Sequence, residues 1–484
     1  MNLSEIKSEK QNILYGLGWT SLSTLINGLT QILRLSVLSR FLTKEEFGIV
    51  AILTFILGLT QIFSDLGFSA SIMSQKNLSR NDFLNLYWCQ FAVYNIVMIA
   101  IISLSPLIAD FYQSPILTIL IPLIMLELLF ISLGRLYDTV LQKNMQFKTI
   151  AIRNMVTSIV SLIIAIILAV LGCGIYSLVF STVLYTLSIN LWNLFAGQTQ
   201  YKLGLKKIDF KGTRKLMSVG YFQMGTQVVD YLASKLDIFI ISIYLGVGEL
   251  GLYNLAKELV LKFVTVINSI ANKVMLPVLA QKQENIIALK NTFKSFIEKL
   301  SLLNAPIVGF MIVFSSQIVQ LFYGSAYINS SNVVRILSIW SLFVVLGQPN
   351  ALLAIATKKT NVSLNYSLIR LFIMAILLLS FARYSLLTTS LTMLAAYLIM
   401  FLVNWRMLLK KTLSMPLSEY LGLFIRSWGF VSLIVIITLS IGLSTSFTSN
   451  FVWTVFTIAI YILMICLYYF FFERKAILSV IKKS

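Results

Sequence analysis

The chain has 484 residues, of which 58% are apolar and 12% charged, with a formal net charge of +20. A soluble domain is about 45–50% apolar and ~25% charged, so a soluble enzyme is excluded: it would lack the polar surface to cover its core. About 280 apolar residues would fill roughly fourteen membrane crossings of ~20 residues each.

Residue types narrow the chemistry further. There is no histidine, which removes the commonest general acid/base and the commonest metal ligand. Cys89, Cys173 and Cys466 are scattered and form neither a CxxC pair nor a disulfide framework. No metal and no cofactor is expected. The basic excess sits in short gaps between apolar runs, as topology signals do, so nucleic acid is not an expected partner.

In chain order, a polar start at 1–11 leads into a first membrane helix rather than a cleaved signal peptide. Apolar runs long enough to span fall at 12–39, 46–73, 83–109, 116–135, 151–171, 174–197, 216–244, 250–280, 291–317, 331–357, 363–382, 386–405, 418–443 and 449–472. The weakest are 116–135, which holds Pro122 and Glu127, and the pair 363–382 and 386–405. The expected organisation is an N-lobe of six helices at 1–197, a basic cytoplasmic linker at 198–215, and a C-lobe of six helices at 216–409. Two extra helices and a cytoplasmic tail follow at 410–484. The longest outer loop is expected at about 317–330.

Orientation follows from Lys and Arg. With the N-terminus inside, Arg135 and the basic gaps at 76–80, 143–153, 202–215, 282–294, 358–359, 406–411 and 474–483 all face the cytoplasm. Only Arg40, Lys44 and Arg383 remain outside. An even helix number then places both termini in the cytoplasm.

The halves are related. Residues 39–48 and 242–251, 203 positions apart, share Ser39/Ser242, Leu42/Leu245, Glu46/Glu249 and Gly48/Gly251, with the aromatic pair Phe41/Tyr244. Both segments occupy the turn between the first two helices of a half. Six helices per half make the repeats parallel, about an axis along the membrane normal.

Charges within spans are costly unless paired or wet, so they mark candidate sites. They concentrate in helices 1, 2, 7 and 8. Arg34, Lys235, Lys257 and Lys262 would give a cationic cavity suited to a phosphate or diphosphate. Asp65, Asp230, Asp237 and Glu258 are gating or ion-coupling candidates. Asp230 and Asp237 are seven apart and share a helix face. The repeat offset sets Arg34 against Asp237, opposite charges at equivalent depth. The bland alternative for the whole set is a group of salt bridges that hold helices together. No P-loop GxxxxGK[ST] is present, and no soluble segment is large enough for a transferase site, so no enzyme activity is expected.

Five stretches carry a family resemblance. They are Leu14-Tyr15-Gly16-Leu17-Gly18-Trp19-Thr20, Leu38-Ser39-Arg40-Phe41-Leu42-Thr43-Lys44-Glu45-Glu46-Phe47-Gly48, Phe63-Ser64-Asp65-Leu66-Gly67-Phe68, Ala109-Asp110-Phe111-Tyr112 with Pro115, and Leu141-Gln142-Lys143-Asn144-Met145-Gln146-Phe147-Lys148. This pattern resembles the Wzx-type polysaccharide and O-antigen flippases of the multidrug/oligosaccharidyl-lipid/polysaccharide superfamily, in the colanic acid and teichuronic acid exporter branch. It is dense over about the first 180 residues and looser beyond them. Asn144 and Gln146 depart from the more arginine-rich form of the last motif.

The resemblance implies an all-α polytopic membrane protein of about 14 transmembrane helices, two six-helix lobes in a MATE-like V plus two C-terminal helices. It implies a transporter of lipopolysaccharide or polysaccharide biosynthesis in the bacterial inner membrane. Such a protein flips undecaprenyl-diphosphate-linked oligosaccharide to the outer leaflet by alternating access, without ATP. The implied partners are the lipid-linked oligosaccharide, membrane lipids, and the polysaccharide polymerase and glycosyltransferases of the pathway. The alternative is a multidrug or lipid-II exporter of the same superfamily.

Overall fold

The computed structural model describes residues 3–75, 78–204, 220–444 and 451–472. The expected basic linker from 205 onward, the first residues of helix 7 at 216–219, and the tail beyond 472 lie outside the described residues. Among the described residues, fourteen helices of 19 residues or more run in order: α1 Leu3–Leu38, α2 Lys44–Asp65, α3 Arg80–Ser103, α4 Leu117–Lys143, α5 Phe147–Val170, α6 Ile175–Gly197, α7 Gly220–Tyr244, α8 Val247–Gln281, α9 Ile286–Val313, α10 Ser331–Ala356, α11 Thr360–Phe381, α12 Leu386–Asn404, α13 Leu417–Ser444 and α14 Phe451–Phe472. No strand occurs among the described residues. Ten stretches among them are long and apolar enough to cross a membrane, and Val455–Phe470 in α14 is a shorter apolar one. The protein is an all-α polytopic membrane protein.

Several runs are cut by local chemistry. α2 ends where Leu66 (φ 42) and Gly67 (φ 82) turn left-handed, and a short helix Phe68–Ser74 follows; glycine meets no Cβ penalty there. The 83–109 run divides at Leu104, and Pro106 sits in the first turn of the helix Ser105–Phe111, where its missing N–H costs nothing. By contrast, the run with Pro122 is one continuous helix, α4. The loop expected at 317–330 is instead mostly helical, with a helix at Ser315–Phe322 and a 3-10 turn at Ser325–Ser330. Its apolar anchors Ile318, Val319, Tyr323 and Tyr327 are buried, and that burial stabilises an ordered segment where composition alone suggests a loop. α1, at 36 residues, is about 54 Å long and exceeds the ~30 Å hydrocarbon core.

Capping fixes the start of α2. Thr43 accepts from the Glu46 N–H, and the Glu46 carboxylate accepts from the Thr43 N–H at 2.8 Å, a reciprocal box that satisfies two orphan donors. Glu46 Oε1 also accepts from the Ile175 N–H at 2.9 Å, so the same carboxylate holds the first turn of α6.

By contacts the chain forms two compact units. The first comprises Met1–Leu255, Phe322–Tyr327 and Ser367–Thr389. Its apolar core gathers Phe68, Phe83, Tyr87, Leu136 and Tyr137, with Phe83 stacked on Tyr201 at 4.6 Å between ring centroids. The second comprises Ala256–Leu321, Ile328–Tyr366 and Ser390–Ser484. Its core joins α9, α10 and α13 through Phe293, Leu353, Tyr420 and Phe424. There α12 runs on through a π turn at Trp405–Leu409, where Trp405 Nε1 donates to the Met415 carbonyl at 3.0 Å. Interdigitated side chains, rather than hydrophobic transfer, hold such helices together inside lipid.

Candidate functional site

Within the first unit the ends of several helices line a half-open chamber of about 710 Å³, within the roughly 300–1,000 Å³ of ligand pockets. α4 supplies the longest wall. Ile131, Arg135, Asp138, Thr139 and Gln142 line the chamber, and their spacing puts them on one face of the helix. α2 adds Gln61 and Asp65, α6 adds Asn190 and Asn193, and α7 adds Gln227. Ser69 of the short Phe68–Ser74 helix and Tyr94 of α3 complete the polar lining.

Close approach of α4 and α6 sets this geometry. A Cβ on Gly134 would lie 2.5 Å from the Asn190 carbonyl oxygen, and one on Gly197 would lie 2.3 Å from the Tyr137 ring. No larger residue fits at either point without displacing the partner. The two helices therefore bring Asp138 and Asn193 together, and Arg153 of α5 reaches both. Its guanidinium pairs with Asp138 at 2.6 Å and also donates to the Asn193 and Asn154 side-chain oxygens. Arg153 is only 5% exposed, so its charge is stable there because these oxygens replace water. Reading Arg153 as a loop charge is thus corrected: it is an interior structural cation. Asp65 accepts from Ser69 Oγ at 2.7 Å and lies 3.8 Å from Arg135 Nε.

The other expected site residues are distributed as follows. In the first unit, Arg34 donates to the Leu178 carbonyl at 3.2 Å and to Thr182 Oγ1, which ties α1 to α6. Asp237 is fully buried and accepts from Tyr253 Oη at 2.7 Å. Arg34 and Asp237 are not joined to each other. Asp230 is 58% exposed by side chain and pairs with Arg370 at 2.7 Å. Although they share a helix face by spacing, Asp230 and Asp237 thus differ completely in burial. Lys235 is half-buried on the same helix. In the second unit, Lys257 is buried and lies over the Trp340 ring at 5.6 Å, a cation–π contact. Lys262 pairs with Glu258 at 3.4 Å, one turn apart.

Of the eight expected residues only Asp65 lines the chamber. Arg135, Asp138, Asn190 and Asn193 were not singled out. Their signal was present as polar residues at helical spacing: 135, 138, 139 and 142 at and just beyond the end of the 116–135 run, and 186, 190 and 193 inside the 174–197 run. Neutral amides carry no charge that would mark them within an apolar chain.

A bundle of long apolar helices with a polar pocket among the helix ends is an integral membrane protein of all-helical fold. The chain belongs to a family described as polysaccharide biosynthesis proteins, which it matches over residues 37–332. It is similar to the teichuronic acid biosynthesis protein TuaB of Bacillus subtilis, 25% identical over 440 residues covering 90% of each chain. It is also similar to the lipopolysaccharide biosynthesis protein WzxC of Escherichia coli, 24% identical over 370 residues, 76% of this chain and 74% of that one. The fold matches a lipid II flippase, MurJ, in an inward closed conformation, with a TM-score of 0.76 at 18% identity over 95% of this chain and 99% of that one. An inward-facing multidrug transporter of the MATE family matches with a TM-score of 0.62 at 14% identity, over 80% of this chain and 98% of that one.

Proposed function

We propose that this protein moves a lipid-diphosphate-linked oligosaccharide across the bacterial cytoplasmic membrane, from the inner to the outer leaflet, for surface polysaccharide synthesis. The observation that carries the reading is the polar chamber, built inside the spans of a chain that belongs to a polysaccharide biosynthesis family. A lipid-linked glycan needs such a passage because its hydroxyls cannot cross hydrocarbon unsolvated. In this reading both termini are cytoplasmic, the two six-helix lobes alternate in access, and no covalent chemistry occurs. Arg34, Lys235, Lys257 and Lys262 supply positive potential for the diphosphate. Asp65, Asp230, Asp237 and Glu258, each held by a partner group, are candidates for gating or ion coupling. The polymerase and glycosyltransferases of the pathway are the proposed protein partners.

The test is genetic and chemical together. Deleting the gene should abolish surface polysaccharide and accumulate the lipid-linked repeat on the cytoplasmic side, and the plasmid-borne gene should reverse both. Normal polysaccharide in the deletion strain, with lost drug resistance or a lipid-II defect, would instead support the multidrug or lipid-II exporter reading.

A further inference from the structure

We infer that the chamber of the first unit binds the glycan of the substrate, not its diphosphate; this rests on the transport function proposed above. Charge argues first. Each carboxylate of the chamber is offset by a guanidinium, Asp65 by Arg135 at 3.8 Å and Asp138 by Arg153 at 2.6 Å. Two such pairs leave no net positive potential, so a diphosphate gains nothing by entering.

The remaining lining has the chemistry of hydroxyl recognition. A sugar hydroxyl both donates and accepts, and a side-chain amide offers both functions in one plane. Five amides line the chamber: Gln61, Gln142, Gln227, Asn190 and Asn193. Three are already committed to the walls. Asn193 accepts from Arg153, and Asn190 donates to the Thr186 carbonyl at 2.8 Å. Gln142 donates to Asp138 at 2.8 Å. Gln61 and Gln227 make no hydrogen bond to another described residue, so their amides are available to a ligand.

Shape and rigidity agree with this assignment. The chamber holds the volume of about two dozen waters, room for more than one sugar ring. Ile62, Met73, Ile131 and Ile189 add an apolar surface that matches the C–H face of such a ring. The Arg153 clamp and the Gly134–Asn190 approach fix Asp138, Asn190 and Asn193 before any ligand arrives, which lowers the entropy cost of binding at that wall. Gln61 and Gln227, on α2 and α7, are therefore specificity-determining residues for the glycan.

The full-length purified protein tests this with two probes: the oligosaccharide repeat released by mild acid from the host's own surface polysaccharide, and inorganic pyrophosphate. Gln61→Ala with Gln227→Ala removes amides that hold no protein partner, and each single variant serves as a folding check. The double variant should weaken oligosaccharide affinity about tenfold and leave pyrophosphate binding unchanged. Asp65→Asn keeps an acceptor oxygen and should retain oligosaccharide affinity. Wild-type oligosaccharide affinity in the double variant overturns the inference. So does neutrality of both glutamine changes beside abolished transport in Asp65→Asn, which would make the chamber an ion-coupling site. A wild-type protein that restores export yet binds no oligosaccharide also overturns it, while the transport function stands. Oligosaccharide binding that is lost in the double variant, in a protein whose deletion leaves export normal, supports the chamber's ligand and fails the transport reading instead.

Discussion

Gly48 and Gly251 lie against each other's helices with no room for a side chain on either. A Cβ on Gly48 would sit 1.9 Å from the Val247 carbonyl oxygen, and one on Gly251 would sit 1.8 Å from the Lys44 carbonyl oxygen. Gly48 and Gly251 are equivalent under the internal repeat, and so are Lys44 and Val247. The contact is therefore symmetric: each half presents its glycine to the first residue of the other half's helix. Small residues allow this backbone approach inside membranes. Nearby, Tyr327 Oη donates to the Leu42 carbonyl at 2.6 Å and Ser39 Oγ donates to the Phe322 carbonyl at 3.3 Å. The segment 322–327 thus straps the α1–α2 turn within the same unit.

Gly48→Ala and Gly251→Ala should each destabilise the protein by about 1–3 kcal/mol, the usual cost of overpacking, because the obstructing atoms are backbone and cannot swing away. Thermal unfolding of the purified variants measures this. Unchanged melting and wild-type export in both would show that the helices part there at no cost.

Arg153→Met should cost about 3–5 kcal/mol, since it leaves Asp138 without its buried partner. Changing both, Arg153→Met with Asp138→Leu, should recover much of the loss because no uncompensated charge remains. Melting temperatures of the singles and the double give the coupling. A double variant less stable than either single would contradict a net cost of burying the pair.

Lys257→Gln and Lys262→Gln should reduce surface polysaccharide at normal protein level, and Lys→Arg at the same positions should preserve more of it. Charge is what a diphosphate reads, so retained charge should outweigh changed shape. Lys257 adds a structural strand to the test: arginine can keep the stacking on Trp340, glutamine cannot. Normal export in both glutamine variants would reassign these lysines to structure alone.

Cys173 lies in the turn between α5 and α6 and is half-buried, whereas Cys89 is buried and Cys466 is exposed on α14. With both termini cytoplasmic, a membrane-impermeant maleimide added to intact cells, the outer membrane opened if there is one, should label Cys173 ahead of the others. Preferential labelling of Cys173 from the cytoplasmic side would reverse the proposed orientation.

The sequence alone determined the helices. Bilayer thickness imposes a run length, and each apolar run contains one long helix, even where Pro122 interrupts the pattern in α4. It also exposed the Gly48/Gly251 equivalence, because a duplicated turn keeps its few obligatory residues. Ordering of the 315–330 segment was hidden, since its anchors Tyr323 and Tyr327 bond to carbonyls of distant residues, Leu255 and Leu42. The chamber was decided by the tertiary structure. Arg135 and Arg153 lie near the ends of their spans and look like loop charges in one dimension. Only the packing of α4 on α6, where Gly134 meets Asn190, turns Arg153 inward between Asp138 and Asn193. The physical reason is that periodicity states which residues share a helix face, but lipid and protein interior are both apolar. Nothing local to one helix says which face will meet its neighbour.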